Sequence, residues 1–371
     1  MSTADLKNIK SLPEFDKDLA AMHMRGQWQY DALLERLIGG PPPAGKPHIW
    51  HWPAVYEKLL EACDVMPESL TARRNFSFLN PGIERGGTTQ TLLMGMQIVK
   101  PGEVAWAHRH TIGALRLVIQ GDPKLYTAVD GEPMTMEPND LILTPNWAWH
   151  DHHNNSAQNA IWLDVLDVPL VLGLNQAFYE PFGQSTQPLR EGAGESIAER
   201  GALLRPVWER PKTKNFPFRY AWKDILPQME KLSGAEGTPY DGVVLEYVNP
   251  VSGGSALPTM GVWLHYLKPG FEGKQHRRTS SAVYYVIEGE GTLVAGDQEI
   301  SWGPRDAFVV PNWMNHRILN RSNSERAILF AVNDIPLLEP LGLYREDPEP
   351  TLHLTAPPSV PGERPGVRKR I

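Results

Sequence analysis

The strongest constraint on this chain is that it repeats itself. "FLNPGIERGG" (78–87) returns as "YVNPVSGGSA" (247–256), and "IVKPGE" (98–103) returns as "YLKPGF" (266–271). "LVIQGD" (117–122) returns as "YVIEGE" (285–290), "LTPNWAWH" (143–150) as "VVPNWMNH" (309–316) and "LDVP" (166–169) as "NDIP" (333–336). The pairs keep their order, and their offset stays between 166 and 169 residues. Self-similarity at one offset means that the same unit is built twice. The expected layout is an N-terminal helical or arm region over 1–70, a first domain over 71–185 and a linker with a helix over 186–235. A second domain over 236–345 and a Pro-rich tail over 346–371 complete it.

Helix-period patterns are scarce inside the two copies. Runs such as "LRLVIQG", "KLYTAVDGEP" and "NAIWLDVLDVP" are short, β-type and broken by turn residues, the pattern of a sandwich or barrel. The clearest helix is "HWPAVYEKLLEACDVM", where Pro53 suits a first turn and Val55, Leu59, Leu60 and Cys63 share a face. The formal net charge of −7 argues against nucleic-acid and anionic-membrane partners. Cys63 is the single cysteine, which excludes a disulfide framework and a thiolate cluster. The N-terminus has no apolar signal region, and no run approaches the ~18 apolar residues of a membrane span. A soluble cytoplasmic protein is expected.

The chemistry concentrates in "AWAHRHTIGALRLVIQG" (105–121). On a strand His108, His110 and Arg116 share a parity and face one way. Arg116 stands among Leu115, Leu117, Val118 and Ile119, where an unpaired cation is costly, so an anion should meet it. Gly102, the His108-Arg109-His110 triplet and Gly121 are followed by Pro145, His150 and Asn154. This series resembles the two motifs of the cupin superfamily, which implies an all-β-dominated bicupin: two tandem antiparallel jelly-roll barrels with an N-terminal helical extension. The glutamate of the first motif is absent, with Ala114 in its place, and Asn139 and Trp147 replace motif glycines.

An isolated pair of histidines two apart is more often a hydrogen-bonded pair than a metal site. The cupin resemblance adds His150, and two imidazoles at i and i+2 with a third from a neighbouring strand make a facial triad with positions left open. Imidazole suits iron, zinc, copper or nickel, so the donors alone do not choose the metal. His152 reads either as an acid–base group beside the triad or as a rim histidine. Asp151 and Asp164 read as orienting ligand imidazoles or neutralising an arginine, or as ordinary loop or strand-end acids. In the second copy His276 and His316 align with His108 and His150, but Arg278 replaces His110. That barrel is expected to be degenerate and structural.

"HRHTIGALRLVIQG", "YTAVDGE", "WAWHDHHNN" and the two-barrel layout are similar to the gentisate 1,2-dioxygenase family, over roughly residues 48–340. The resemblance implies Fe(II) held by His108, His110 and His150. It implies opening of a small aromatic hydroxy acid between its hydroxyl- and carboxyl-bearing carbons, with both atoms of O₂ entering the product. Under it Arg116 is the substrate's carboxylate clamp; the alternative is a structural ion pair with an acid such as Asp164. Gln97 and Gly95 line the cavity by the same resemblance, Gln97 near the substrate's polar edge. Arg73 is a second candidate anion contact unless it and Arg74 are merely solvated. Trp106 either walls the pocket or packs.

Gentisate, giving maleylpyruvate, is the expected substrate. Ile112, Gly113 and the Gln120-Gly121-Asp122 triplet depart from the family's commoner strings, so salicylate, a substituted salicylate and 1-hydroxy-2-naphthoate stay open. The family also implies a homotetramer. The rival classes are a non-enzymatic bicupin scaffold and a metal-dependent cupin isomerase.

Overall fold

A computed structural model describes residues 11–66, 74–190 and 217–348. Two short helices, Leu12–Ala21 and Asp31–Arg36, precede strand β1 (His48–Trp50) and the helix Trp52–Val65. The first barrel begins with β2 (Arg74–Ser77), β3 (Leu93–Val99), β4 (Val104–His110), β5 (Ala114–Gln120) and β6 (Asp122–Val129). It continues through β7 (Glu132–Met136), β8 (Leu141–Thr144), β9 (His150–Asn154) and β10 (Ala160–Leu166). The helix Val168–Gly173 and a strap strand, β11 (Tyr179–Pro181), close it. Strand β12 (Phe218–Tyr220) and the helix Trp222–Leu232 lead to the second barrel.

That barrel is built from β13 (Val243–Glu246), β14 (Gly261–Leu267), β15 (Arg277–Arg278), β16 (Ala282–Glu288) and β17 (Gly291–Ala295). It ends with β18 (Gln298–Trp302), β19 (Ala307–Val310), β20 (His316–Asn320), β21 (Ala327–Asn333) and its own strap, β22 (Glu346–Asp347). All pairing is antiparallel, and each barrel is a jelly roll with one six-stranded sheet facing a smaller sheet or sheets. In the first, the order β12-β8-β5-β10-β3-β2 faces β11-β4-β9-β6-β7. The fold is the bicupin that the repeat and motifs implied.

Burial explains why the sequence shows apolar runs rather than clean alternation. On β3 and β5, Met94, Met96, Ile98, Leu115 and Leu117 face outward into a core shared with Val262, Leu264 and Phe330 of the second barrel. Val99 and Val118, on the opposite faces, pack inside the first barrel with Leu125, Met134 and Trp162. A sheet covered on both sides needs apolar residues at both parities. Against that background the inward positions Gly95, Gln97, Arg116 and Asp164 stand out as the ones not filled by hydrocarbon.

The segments read as arm and linker do more than connect. β1, which precedes the first barrel, pairs with β19 of the second; β12, which precedes the second, pairs with β8 of the first. The exchange is reciprocal in detail. The Trp52 N–H donates to Asp306 Oδ1 and the Trp222 N–H to Asp140 Oδ1, each at 2.8 Å. Thr91 Oγ1 donates to Asp334 Oδ2 at 2.6 Å, and Thr259 Oγ1 to Asp167 Oδ2 at 2.7 Å. The repeat therefore extends upstream of the motifs that revealed it.

Candidate active site

The chemistry lies inside the first barrel, but not on one strand as the shared parity suggested: a turn at 111–113 leaves His108 and His110 on β4 and Arg116 on β5, in the two facing sheets. His108 and His110 lie on β4 and His150 on β9, paired so that His108 sits opposite His150. All three are buried, their candidate ligand atoms lie within 4.8 Å of one another, and they are the single such grouping found among the described residues. Each Nδ1 is engaged by a backbone carbonyl: His108 by Trp106 at 2.9 Å, His110 by Ile112 at 2.8 Å and His150 by Ala148 at 3.0 Å. A carbonyl can only accept, so it fixes the proton on Nδ1 and puts the lone pair on Nε2. Carbonyls rather than carboxylates thus orient the imidazoles. Three neutral imidazoles with no thiolate or carboxylate fit a transition-metal ion.

Asp151 instead accepts the Gln187 N–H at 2.7 Å and lies 3.4 Å from His153. The replaced glycines sit in two tight turns, Asn139 between β7 and β8 and Trp147 just before His150. Asn139 and Trp147 both adopt left-handed backbone, with φ of 66° and 64°, where glycine is the usual residue. The Trp147 N–H donates to the His110 carbonyl at 2.7 Å, and the Arg109 guanidinium stacks 4.3 Å over its ring.

Arg116 is 2% exposed and directly opposite Asp164 in the β5–β10 register. Its Nε lies 3.1 Å from Asp164 Oδ1, and Nη1 donates to Thr144 Oγ1. Asp164 Oδ2 accepts from Asn75 Nδ2 at 3.0 Å and from the Trp162 indole at 3.1 Å. Burial pushes the Arg116 pKa down, and the Asp164 carboxylate opposes that shift. The ion pair kept as the alternative is therefore present, and it holds the guanidinium plane on the barrel's inner face. Gln97 pairs in register with Trp162 and is 1% exposed, and its Nε2 has no hydrogen-bond partner among the described residues.

His152 is fully buried, so it is not a rim residue. Its Nδ1 meets Thr127 Oγ1 at 2.8 Å, and its ring lies 5.1 Å from Trp162 and 5.9 Å from His150. Trp106 is 42% exposed; its carbonyl, rather than its ring, is what touches the triad. Arg73 lies outside the described residues. Its neighbour Arg74 is not solvated: it is 2% exposed and bonds Glu103 through both Nη atoms at 2.7 and 3.0 Å. Sequence reasoning missed Thr144, Asn75 and Tyr179, whose ring stacks 5.3 Å from His108.

A cleft of about 720 Å³ opens among Ser77, Leu79, Arg85, Leu93, Val168 and Leu172. Leu93 shares the inward face of β3 with Gly95 and Gln97, and it pairs with Leu166, which also pairs with Ala114. A short turn joins His110 to Ala114, so the cleft and the triad occupy the same end of the barrel. Gly95 has no room for a side chain, since a Cβ would lie 2.4 Å from the Phe76 carbonyl.

The comparisons with known proteins agree with this geometry. Residues 95–166 and 263–333 each match the cupin domain. The chain is 46% identical over 353 residues to 1-hydroxy-2-naphthoate 1,2-dioxygenase of Nocardioides sp. (strain KP7), covering 95% of this chain and 91% of that one. It is 34% identical to gentisate 1,2-dioxygenase 1 of Aquipseudomonas alcaligenes, covering 91% and 96%. The structure of a salicylate 1,2-dioxygenase from Pseudaminobacter salicylatoxidans superposes with a TM-score of 0.80 at 27% identity, covering 93% and 99%.

Proposed function

The chain belongs to the cupin family of ring-cleaving 1,2-dioxygenases, oxidoreductases that place both atoms of O₂ in the product, and from that premise we propose that its first barrel is an Fe(II) site opening an ortho-hydroxylated aromatic carboxylate. The observation that carries the reading is a buried three-histidine set on β4 and β9 together with a buried arginine on β5, in the sheet that faces them. His108, His110 and His150 would hold the iron, which would supply the redox chemistry for O₂.

The protein's own part is positioning and charge. His108, His110 and His150 present Nε2, held in that tautomer by the three carbonyls. Asp164 and Thr144 fix two edges of the Arg116 fork, and the remainder of that fork is suited to a carboxylate. Gln97 Nε2 is a buried donor for the ring's polar edge. Gly95 keeps β3 low beside it. His152, inside the barrel and next to the triad, is the candidate for moving a proton.

Gentisate and 1-hydroxy-2-naphthoate are the two rings to separate. The apolar side chains of Leu79, Leu93, Val168 and Leu172 along the cleft suit a fused second ring, and the 46% identity to the hydroxynaphthoate enzyme points the same way. The test is oxygen uptake by Fe(II)-loaded protein with gentisate, salicylate and 1-hydroxy-2-naphthoate in turn. One O₂ per substrate and a product heavier by two oxygens is expected, fastest with the bicyclic acid. No uptake with any of them, despite bound iron, would remove the dioxygenase reading for this chain.

A cytoplasmic homotetramer is part of the same reading. Leu34, Leu37 and Ile38 are 59%, 42% and 83% exposed, and neither N-terminal helix buries a residue in the single chain, which supports packing against another copy. Light scattering showing a monomer would contradict it.

A further inference from the structure

The second barrel preserves the framework of the histidine site and fills its third position with a cation. The His276 and His316 rings lie 4.3 Å apart, against 4.2 Å for His108 and His150. The tautomer control is also repeated: His276 Nδ1 faces the Lys274 carbonyl at 3.3 Å and His316 Nδ1 faces that of Met314 at 2.9 Å. In each case the acceptor sits two residues earlier, as for His108 and His150. His276 is 4% exposed, and its Nε2 has no hydrogen-bond partner among the described residues.

Arg278 stands where the first barrel has His110. Its Nη1 and Nη2 donate to Asp241 Oδ1 and Oδ2 at 3.1 and 2.6 Å, and its Nε donates to Glu346 Oε1 at 3.1 Å. Burial alone would push the Asp241 carboxyl up; Arg278 overrides it and holds that acid well below the usual range. Asp241 also lies 3.9 Å from His276 Nε2. The cavity beside Arg278 and His316 is about 10 Å³, room for one water. A guanidinium cannot ligate, and a second cation brought beside it would be repelled.

We propose that the second barrel is a latent transition-metal site, kept closed by Arg278, whose guanidinium supplies the positive charge that a metal ion would otherwise bring. Replacing that one side chain with imidazole should open the site to a divalent ion held by residue 278 together with His276 and His316. The donor geometry is borrowed from the first barrel, so the inference rests on the metal reading of that site. The experiment separates the two by deleting each site in turn.

Full-length protein would be stripped with chelator and titrated with Co(II), reading the absorption of bound cobalt and the number of ions per chain. The expected values are one for the wild type, two for R278H, none for H110A and one for H110A/R278H. Adding H316A to H110A/R278H should return the count to none. No cobalt in H110A/R278H would overturn the proposal, as would one ion in H110A itself. No cobalt in the wild type alongside one in R278H would instead sink the first-barrel reading. Should R278H fold poorly, R278H/D241N removes the carboxylate left without its cation and takes the same titration. Failure of both to fold with Co(II) supplied would count against the idea, because the ion should replace the missing charge.

Discussion

Each barrel sets an arginine–aspartate pair among its inner residues, but in different places. In the first, Arg116 and Asp164 face each other across β5 and β10, beside the histidines. In the second those positions are Tyr284 and Ala331, and the buried pair is Arg278 with Asp241, inside the histidine set. Around Arg278 and His316 the open volume is only about 10 Å³. Two copies of one fold thus differ in which arginine stands among the histidines' neighbours. On the proposed roles, Arg116 beside the donors would recruit an acid, and Arg278 among them would stand in for a metal.

The comparison is broken most completely by removing a donor from each side. His110→Ala should abolish both metal retention and turnover, whereas His316→Ala, in folded protein, should leave turnover largely intact. Metal content and oxygen uptake on the pair decide it, and equal loss in both would deny the division of labour.

Next in size is Arg116→Ala. It should keep the metal, raise KM for the carboxylated substrate far more than it lowers kcat, and cost about 3–5 kcal/mol by stranding Asp164. Arg116→Ala with Asp164→Asn should recover stability without recovering KM. Near-normal KM in either variant would reduce Arg116 to a structural ion pair.

Acid should then act on the second barrel. Burial pushes the His316 imidazole down to about 3, with His276 adding to the shift, while His265 and His276 are lowered chiefly by burial. An unfolded imidazole takes its proton near ~6.5, so below that pH the unfolded state binds protons that the folded one refuses. Stability is therefore full above ~6.5 and falls steadily toward pH 3. Asp241, paired with Arg278, adds a loss below ~4, where the unfolded carboxyl protonates first. Denaturant unfolding of H316N should show a shallower slope between pH 6.5 and 4 than the wild type.

The smallest effect belongs to the turn before His150. Trp147→Gly relieves a left-handed backbone worth ~1–3 kcal/mol but forfeits the Arg109 stack, worth ~0.5–2 kcal/mol, so the melting temperature should barely move. A large drop would mean that the ring, rather than the turn, holds His110 in place.

What could be read from the sequence was whatever recurs or alternates. The repeat offset exposed both barrels. The parity of His108, His110 and Arg116 was a weaker guide, because it assumed one strand where a turn at 111–113 divides them between β4 and β5 of the two facing sheets. The exchanged strands escaped because each is three residues long, and Trp52 and Trp222 are nearly all that their flanks share. The partner of Arg116 stayed open between Asp164 and a substrate acid because only the β5–β10 register brings Asp164 opposite it. The acceptors on the imidazoles were invisible for a simpler reason: they are carbonyls of Trp106, Ile112 and Ala148, and a backbone group leaves no mark in residue identity. Asn139 and Trp147 looked like departures from a motif, yet both keep the glycine-like conformation.

The reciprocal exchange of β1 and β12 also sets an order on synthesis. A chain emerging from the ribosome cannot complete its first barrel at β10, since β8 still lacks the neighbour that Phe218–Tyr220 will provide. His48, made early, must wait for Val309 before its own ladder can form. Neither half can be cut away as a finished module, and a nascent chain halted between the barrels displays two unpaired sheet edges at once.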